Sequence, residues 1–339
     1  MTAHSLSRGA LEAWLSGLLE THAVIAPVRR GGQVVFRPVA RLDEIAFDAG
    51  RADFSAKDFF LPSSEAIVTW RPAVEGVRTE TAGLGRPQVL FGARPCDAHA
   101  LEVLDRLLLK DPADLFYAER RAKTTLVGLA CVDGPWEGCF CTSMGGGPAE
   151  RRYLDVLLTG IEGGYAVDVV TEKGQAALAG AALTPRDGQL SREVPDLPRL
   201  ALAAADVWRE RFDEAYWADL AERCIGCRTC TYDCPVCYCF DVRDRRLADG
   251  SVERLRCWDS CQGALCFAIA GDHNPRPTQA SRLRQRFMHK FLYYVTREGA
   301  PLCVGCGRCV VQCPVNIDIR EVLAHVAASG PAPCPPGRP

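Results

Sequence analysis

Residues 224–235, CIGCRTCTYDCP, and residues 303–314, CVGCGRCVVQCP, carry one cysteine pattern twice. In each copy, two residues separate each of the first three cysteines, three residues precede the fourth, and proline follows it directly. Three thiolates at this spacing can surround one face of an inorganic cluster, while the fourth lies beyond the local turn and can reach a neighbouring cluster. Gly226, Gly305 and Gly307 let the backbone approach such a cluster closely.

This repeated run is the motif of two-cluster iron–sulfur proteins. It predicts crossed ligand sets, in which each cluster takes three cysteines from one repeat and the fourth from the other. The first predicted [4Fe–4S] cluster is held by Cys224, Cys227, Cys230 and Cys313. The second predicted [4Fe–4S] cluster is held by Cys303, Cys306, Cys309 and Cys234.

Structural zinc is the alternative of another class, because zinc also binds sets of four cysteines. The chain would then be a zinc-stapled interaction or nucleic-acid module. Zinc sites usually pair two short cysteine knuckles across a longer gap. A run of four cysteines that ends in proline and occurs twice does not suit that layout, so the pattern favours iron–sulfur clusters.

Strand-like and helix-like segments alternate in the first half, which predicts an α/β domain over residues 1–198. The stretch PQVLFGARPC (87–96) is typical of a buried strand that runs into a turn. A helix from Asp97 to Leu109 is predicted to follow, with Asp97 as its N-cap. Another predicted helix, over about 199–221, leads to Cys224. It opens an α-helical two-[4Fe–4S] ferredoxin-type domain with a long insertion, predicted over residues 199–330.

Four cysteines of the first half are candidates for a third [4Fe–4S] cluster. Cys96 and Cys131 each follow a predicted buried strand, and Cys139 and Cys141 lie in the loop after the second of these strands. Because α/β sheets build their sites where strands end, the four thiolates could converge at one sheet edge. The alternative is a set of small buried hydrophobic side chains, as free cysteines often are. A C-x-C pair in a glycine-rich loop is not a core-packing pattern.

The connection between the two repeats is too long to be a passive loop, since 68 residues separate Cys234 from Cys303. A metal bound within it would staple the insertion, although the spacing of its four candidate cysteines matches no known motif: Cys237, Cys239, Cys257 and Cys261.

A basic stripe lies in the same insertion, where Arg282, Arg286 and Lys290 share one face of a predicted helix. Two interpretations stay open for it. The stripe is either a docking surface for an acidic partner or an ordinary solvated helix face.

Composition narrows the class of protein. The chain has 339 residues, 18 cysteines and a net charge of −2. No apolar run approaches the roughly 18 residues of a membrane span, and Glu12 interrupts the apolar N-terminal stretch that could resemble an export signal. A cysteine-rich chain without such a signal indicates a cytoplasmic metal protein.

Other classes of ligand are disfavoured. The net charge argues against nucleic-acid binding. No G-x-G-x-x-G fingerprint follows a strand, which argues against dinucleotide binding by this chain. The Pro-rich tail 331–339, with Cys334, is expected to be disordered.

Stretches outside the repeats carry a resemblance to a known family. They are FGARPCDAHAL (91–101), CFCTSMGGGP (139–148), CPVCYCFDV (234–242), CWDSC (257–261) and HNPRPTQASRLRQRFMHKF (273–291). Together with the two cysteine runs, they resemble the iron–sulfur beta subunit of soluble sulfhydrogenase-type [NiFe] hydrogenases. They are also similar to a relative of that subunit, the A subunit of anaerobic sulfite reductases.

The resemblance implies an electron relay in a cytoplasmic complex, with the eight cysteines of the two runs as cluster ligands and no catalytic site in this chain. One expected partner is an FAD-containing flavoprotein subunit that exchanges hydride with NAD(P)H. The other is either the small and large subunits of a [NiFe] hydrogenase or a sirohaem sulfite reductase subunit. No nucleic acid and no membrane span is expected.

Overall fold

The computed structural model describes residues 3–74, 76–81, 85–134, 136–186, 197 and 199–328. The predicted tail 331–339 and Cys334 lie outside these residues. The strands of the described part are β1 (Ala3–Ser7), β2 (Ala23–Arg30), β3 (Gln33–Pro38), β4 (Ser64–Ala73), β5 (Gly76–Glu80), β6 (Gln88–Ala93), β7 (Thr124–Leu129), β8 (Val156–Ile161), β9 (Gly164–Val169), β10 (Thr184–Arg186), β11 (Phe240–Arg246) and β12 (Val252–Trp258).

Helices alternate with these strands in the first half and dominate the second. The α-helices of the described part are α1 (Arg8–Thr21), α2 (Pro95–Leu108), α3 (Leu115–Lys123), α4 (Glu172–Ala177), α5 (Ala205–Glu210), α6 (Tyr216–Glu222), α7 (Thr229–Tyr232), α8 (Gln279–Met288), α9 (Tyr294–Glu298), α10 (Arg308–Val311) and α11 (Ile319–Ala327). A π-helical turn, His289–Tyr293, joins α8 to α9.

The N-terminal region is built on an eight-stranded mixed sheet in the order β10-β1-β9-β8-β7-β6-β2-β3. Its centre is parallel, since β2, β6, β7 and β8 pair in parallel. Both faces are covered, so β6 and β7 are buried along almost their whole length. Leu11 and Leu15 of α1 pack on one face, and Leu101 and Leu104 of α2 pack on the other. The mixed α/β region predicted from the sequence is therefore present.

A second, antiparallel sheet in the order β11-β12-β4-β5 joins distant parts of the chain. The insertion between the cysteine repeats contributes the β11–β12 hairpin, which pairs with β4 of the N-terminal region. Arg256 of β12 fixes this contact through ion pairs with Glu65 of β4 and with Asp114. The insertion is thus part sheet and part helix, a feature that the sequence analysis did not predict.

The single helix predicted over about 199–221 is wrong, because α5 and α6 are separated between residues 211 and 215. Trp208 stacks on Phe291 at 5.2 Å and Trp217 stacks on Phe287 at 6.0 Å, so both indoles enter the same core. The two tryptophans are nine residues apart, or about two and a half helical turns, which would put them on opposite faces of a straight helix. The break turns both inward.

The sequence predicted Asp97 as the N-cap of the helix after β6, and this prediction is wrong. The helix α2 begins two residues earlier, at Pro95, and Arg94 is its N-cap. The Asp97 carboxylate instead accepts a hydrogen bond from the Arg94 backbone N–H at 3.0 Å and closes the first turn. This early start brings Cys96 into the first turn of α2. Within the described ranges, no helix combines the length and apolarity that crossing a membrane requires.

Candidate metal centres

The outer cavity is lined by cysteines of both repeats and encloses about 460 Å³, part of it open to solvent. Its walls include the set that the sequence assigned to the first cluster: Cys224, Cys227, Cys230 and Cys313. Gly226 and Arg228 have φ values of 67° and 69°, so the loop turns sharply through the left-handed region before α7 begins. Cys227 is exposed, so this cavity reaches the surface.

The middle cavity encloses about 330 Å³ and lies between the second repeat and the end of the first. Its walls include the set assigned to the second cluster: Cys303, Cys306, Cys309 and Cys234. The loop before α10 passes close to the N-terminal region, since Phe140 N–H donates to the Gly305 carbonyl at 2.8 Å. A Cβ at Gly305 would lie 2.5 Å from the Phe140 carbonyl oxygen, so glycine is required here.

The sheet-edge cavity, of about 360 Å³, gathers the four candidate cysteines of the first half. They are Cys96, Cys131, Cys139 and Cys141. Cys96 follows β6 and Cys131 follows β7, and these parallel neighbours deliver both residues to the same edge. Arg51 donates to Cys139 Sγ at 3.3 Å. The structure therefore brings together the four side chains that the sequence proposed for a third site.

The three cavities form a continuous series. Cys309 and Arg286 line both the outer and the middle cavity. Cys306 lines both the middle and the sheet-edge cavity. The outer and middle cavities thus share two lining side chains, the middle and sheet-edge cavities share one, and each of the two sequence repeats contributes to the wall of the other repeat's cavity.

Both interpretations of the basic stripe are wrong, because its side chains point inward. Arg282, Arg286 and Lys290 are only 8%, 4% and 2% exposed. Lys290 Nζ donates to Cys234 Sγ at 3.3 Å and to the Leu302 carbonyl at 3.0 Å. Burial alone would lower the pKa of Lys290, but the neighbouring Cys234 and Cys237 sulfurs raise it above its ordinary value. Arg286 and Lys290 line the cysteine-lined cavities, whereas Arg282 donates to the Pro277 carbonyl and to Gln279.

Burial also keeps three of the cysteine thiols protonated in the absence of a metal. It raises the pKa of Cys131, Cys230 and Cys303 to about 12 each. Metal binding requires thiolates and releases their protons. Arg286 Nε, by contrast, meets no hydrogen-bond acceptor in the described part of the chain. In the middle cavity, four cysteine sulfurs face the buried cations of Arg286 and Lys290. This arrangement fits an anionic, thiolate-ligated cluster.

The arrangement suits a cluster of several metal atoms better than a single ion. Among the residues that the structure describes, no three His, Cys, Asp or Glu side chains stand close enough to hold one metal ion. The thiols surround cavities instead of converging on a point. This geometry gives no support to a mononuclear zinc staple.

The four cysteines proposed to staple the insertion face different neighbours. Cys257 Sγ lies 3.5 Å from Ser64 Oγ on β4. Cys237 Sγ accepts from Lys290 Nζ at 3.7 Å, and Cys261 Sγ accepts from Gln262 at 3.4 Å. The Cys239 carbonyl accepts from the Asp259 backbone, at the base of the β11–β12 hairpin. The thiols of Cys237 and Cys239 both interact electrostatically with that of Cys261, so these three lie near one another, whereas Cys257 lies apart from them against β4.

Comparison with known proteins agrees with this geometry. The 4Fe-4S dicluster domain family matches residues 223–317. The chain is 33% identical over 321 residues to sulfhydrogenase 2 subunit beta of Pyrococcus furiosus, an alignment that covers 91% of this chain and 93% of that protein. The chain belongs to the sulfhydrogenase beta-subunit family. No solved structure gives a significant match.

Several residues of this beta-subunit fold escaped the sequence analysis. Arg308 is fully buried, forms a 2.7 Å ion pair with Asp97, and donates to the Ala52 carbonyl. Arg51 contacts the Cys306 carbonyl as well as Cys139. Arg308 sits inside the second cysteine run, so its position beside the candidate ligands was a usable signal. Arg51 is remote in sequence and gave none.

Proposed function

We propose that this chain is the electron-transfer iron–sulfur subunit of a cytoplasmic, NAD(P)-linked [NiFe] hydrogenase complex. In that role it relays electrons between a flavoprotein subunit and the hydrogenase subunits. The observation that carries the proposal is the continuous series of three cysteine-lined cavities. Membership of the sulfhydrogenase beta-subunit family supports the choice of partners.

The proposed ligands follow the cavity walls. The first cluster is assigned to Cys224, Cys227, Cys230 and Cys313, and the second to Cys303, Cys306, Cys309 and Cys234. A third cluster is assigned to Cys96, Cys131, Cys139 and Cys141. The support for the third assignment is that all four side chains line one cavity, which shares Cys306 with the middle one.

When bound, such clusters supply one-electron transfer. The chain's own residues would hold and shield them. Phe140, Val304 and Ile319 close the middle cavity with apolar surface and limit the access of water. Ile225, 66% exposed beside the exposed Cys227, leaves the outer end open to a partner. Trp136 stands at the other end, over the sheet-edge cavity. A relay needs two such ends.

The test is partner-dependent reduction under anaerobic conditions. The isolated, cluster-loaded chain should be bleached by dithionite, yet it should show no NAD(P)H oxidation, hydrogen uptake or sulfite reduction. Adding the flavoprotein subunit should let NAD(P)H bleach the same visible absorbance. NAD(P)H oxidation by the flavin-free chain would contradict the proposal. Co-purification with a sirohaem protein instead of a hydrogenase large subunit would assign this electron-transfer subunit to an anaerobic sulfite reductase complex.

A further inference from the structure

We propose that two buried cations of the insertion set the reduction potentials of the clusters. Lys290 acts on the cluster of the middle cavity, and Arg286 acts on the clusters of the middle and outer cavities together. The inference rests on the proposed function, since it requires clusters in these cavities. It assigns a role to two of the three residues of the basic stripe.

Lys290 is directed at the middle cavity alone. Its ammonium group lies 3.3 Å from Cys234 Sγ, and only 2% of the residue is exposed. The remaining contacts of Nζ are the Leu302 carbonyl at 3.0 Å and Cys237 Sγ at 3.7 Å. In the described part of the chain no carboxylate lies within ion-pair distance of it. Sulfur is therefore the main source of negative charge beside this ammonium group.

Arg286 stands between two cavities, one helical turn before Lys290. It lines the outer and the middle cavity, and it is 4% exposed. Its Nη2 donates to the Cys230 carbonyl at 3.3 Å, so the guanidinium is fixed against the first repeat. Its Nε has no acceptor among the described residues, and no carboxylate pairs with it there. One cation thus faces two cysteine sets.

A buried cation without a carboxylate partner is costly unless another anion compensates it. Thiolate-ligated clusters supply that anion. Reduction by one electron adds one negative charge to a cluster, and a fixed positive charge nearby stabilises the reduced form more than the oxidised form. Charge and hydrogen bonds to sulfur are among the factors that set cluster potentials. Lys290 and Arg286 therefore raise the potentials of the clusters they face.

The experiment is an EPR-monitored potentiometric titration of the full, anaerobically loaded chain, in which mediator dyes poised by dithionite supply the electrons. Lys290→Gln should lower the midpoint potential of the middle cluster alone. Arg286→Gln should lower the potentials of the middle and outer clusters. In each case the equilibrium constant for one-electron reduction should fall about tenfold, which corresponds to about 59 mV.

Arg284→Gln is the matched control, because it removes the same charge from the same helix. Arg284 packs over Phe212 and binds Asp213 and the Phe212 carbonyl. Its loss should leave all cluster potentials unchanged. Lys290→Arg keeps the positive charge but changes the shape of the side chain. The reduction potential of the middle cluster should then stay near that of the unchanged chain, which shows that the charge is the cause of the effect.

Unchanged potentials in Lys290→Gln, with all clusters loaded, would overturn the inference and leave the proposed function standing. Should that variant fail to retain its middle cluster, Arg286→Gln decides, since an unchanged outer potential there would equally overturn the inference. A shift of the same size in Arg284→Gln would also contradict it, because the effect would then be general. An unchanged chain that binds no cluster would overturn the inference and the proposed function together.

Discussion

At the scale of single residues, two glycines allow the second cysteine repeat to touch the N-terminal region. Gly307 has a φ of 76°, and a Cβ there would lie 2.5 Å from the carbonyl carbon of Gly138. Gly305 has a φ of 63° and the same restriction against Phe140. Because the loop that carries Cys139 is the partner in both contacts, these glycines join the middle cavity to the sheet-edge cavity.

Gly307→Ala should therefore lower the thermal unfolding midpoint and reduce the visible absorbance of the loaded chain. Gly299→Ala is the control, since Gly299 has a φ of 72° but a Cβ there would meet no atom within 4 Å. The left-handed backbone costs alanine about 1–2 kcal/mol at either site. Only Gly307→Ala adds the overlap with the neighbouring loop. Equal midpoints and equal absorbance in the two variants would contradict the account.

At the scale of elements, the short helices α7 and α10 hold the crossed cysteine sets. Each begins after a residue with positive φ and carries the third cysteine of its repeat, while the fourth cysteine follows the helix. Cys234 thereby lines the cavity of the second repeat and Cys313 that of the first. The crossing ties the ends of the 68-residue insertion together.

Cys234→Ala should consequently damage the cluster of the distant repeat, held by Cys303, Cys306 and Cys309, and lower the iron content by about four atoms per chain. The cluster beside Cys224 should survive. Cys257→Ala is the matched control, because Cys257 contacts Ser64 and lines none of the three cavities described above. Iron analysis with EPR distinguishes the two. Loss of only the outer cluster in Cys234→Ala would show that the assignment is wrong.

The same elements show what the sequence could predict. Local spacing was enough to group the cysteines within each repeat. The predicted ends of two strands were enough to place Cys96 and Cys131 at the same sheet edge. Periodicity placed Arg286 and Lys290 on one face, yet it could not tell that this face turns inward, because the compensating sulfurs come from other segments. The pairing of the β11–β12 hairpin with β4 also joins segments that are far apart in the chain, so no local sequence pattern predicts it.

At the scale of the whole molecule, the mixed sheet and the cysteine repeats form one scaffold for a series of sites. Parallel strands β6 and β7 deliver two cysteines to the sheet edge, and the second repeat docks there through Cys306. The first repeat extends the series to the exposed Cys227. The central claim is that this single chain holds three clusters in a row.

Quantitative iron and sulfide analysis of the anaerobically purified full chain, with integration of the EPR signal after dithionite reduction, tests that claim most directly. The account predicts about twelve iron atoms and twelve sulfides per chain, four of each for every cysteine-lined cavity, and a reduced spin intensity approaching three per chain. About eight irons would refute the third cluster alone. A colourless chain, or one that holds only about four irons, would contradict the account as a whole.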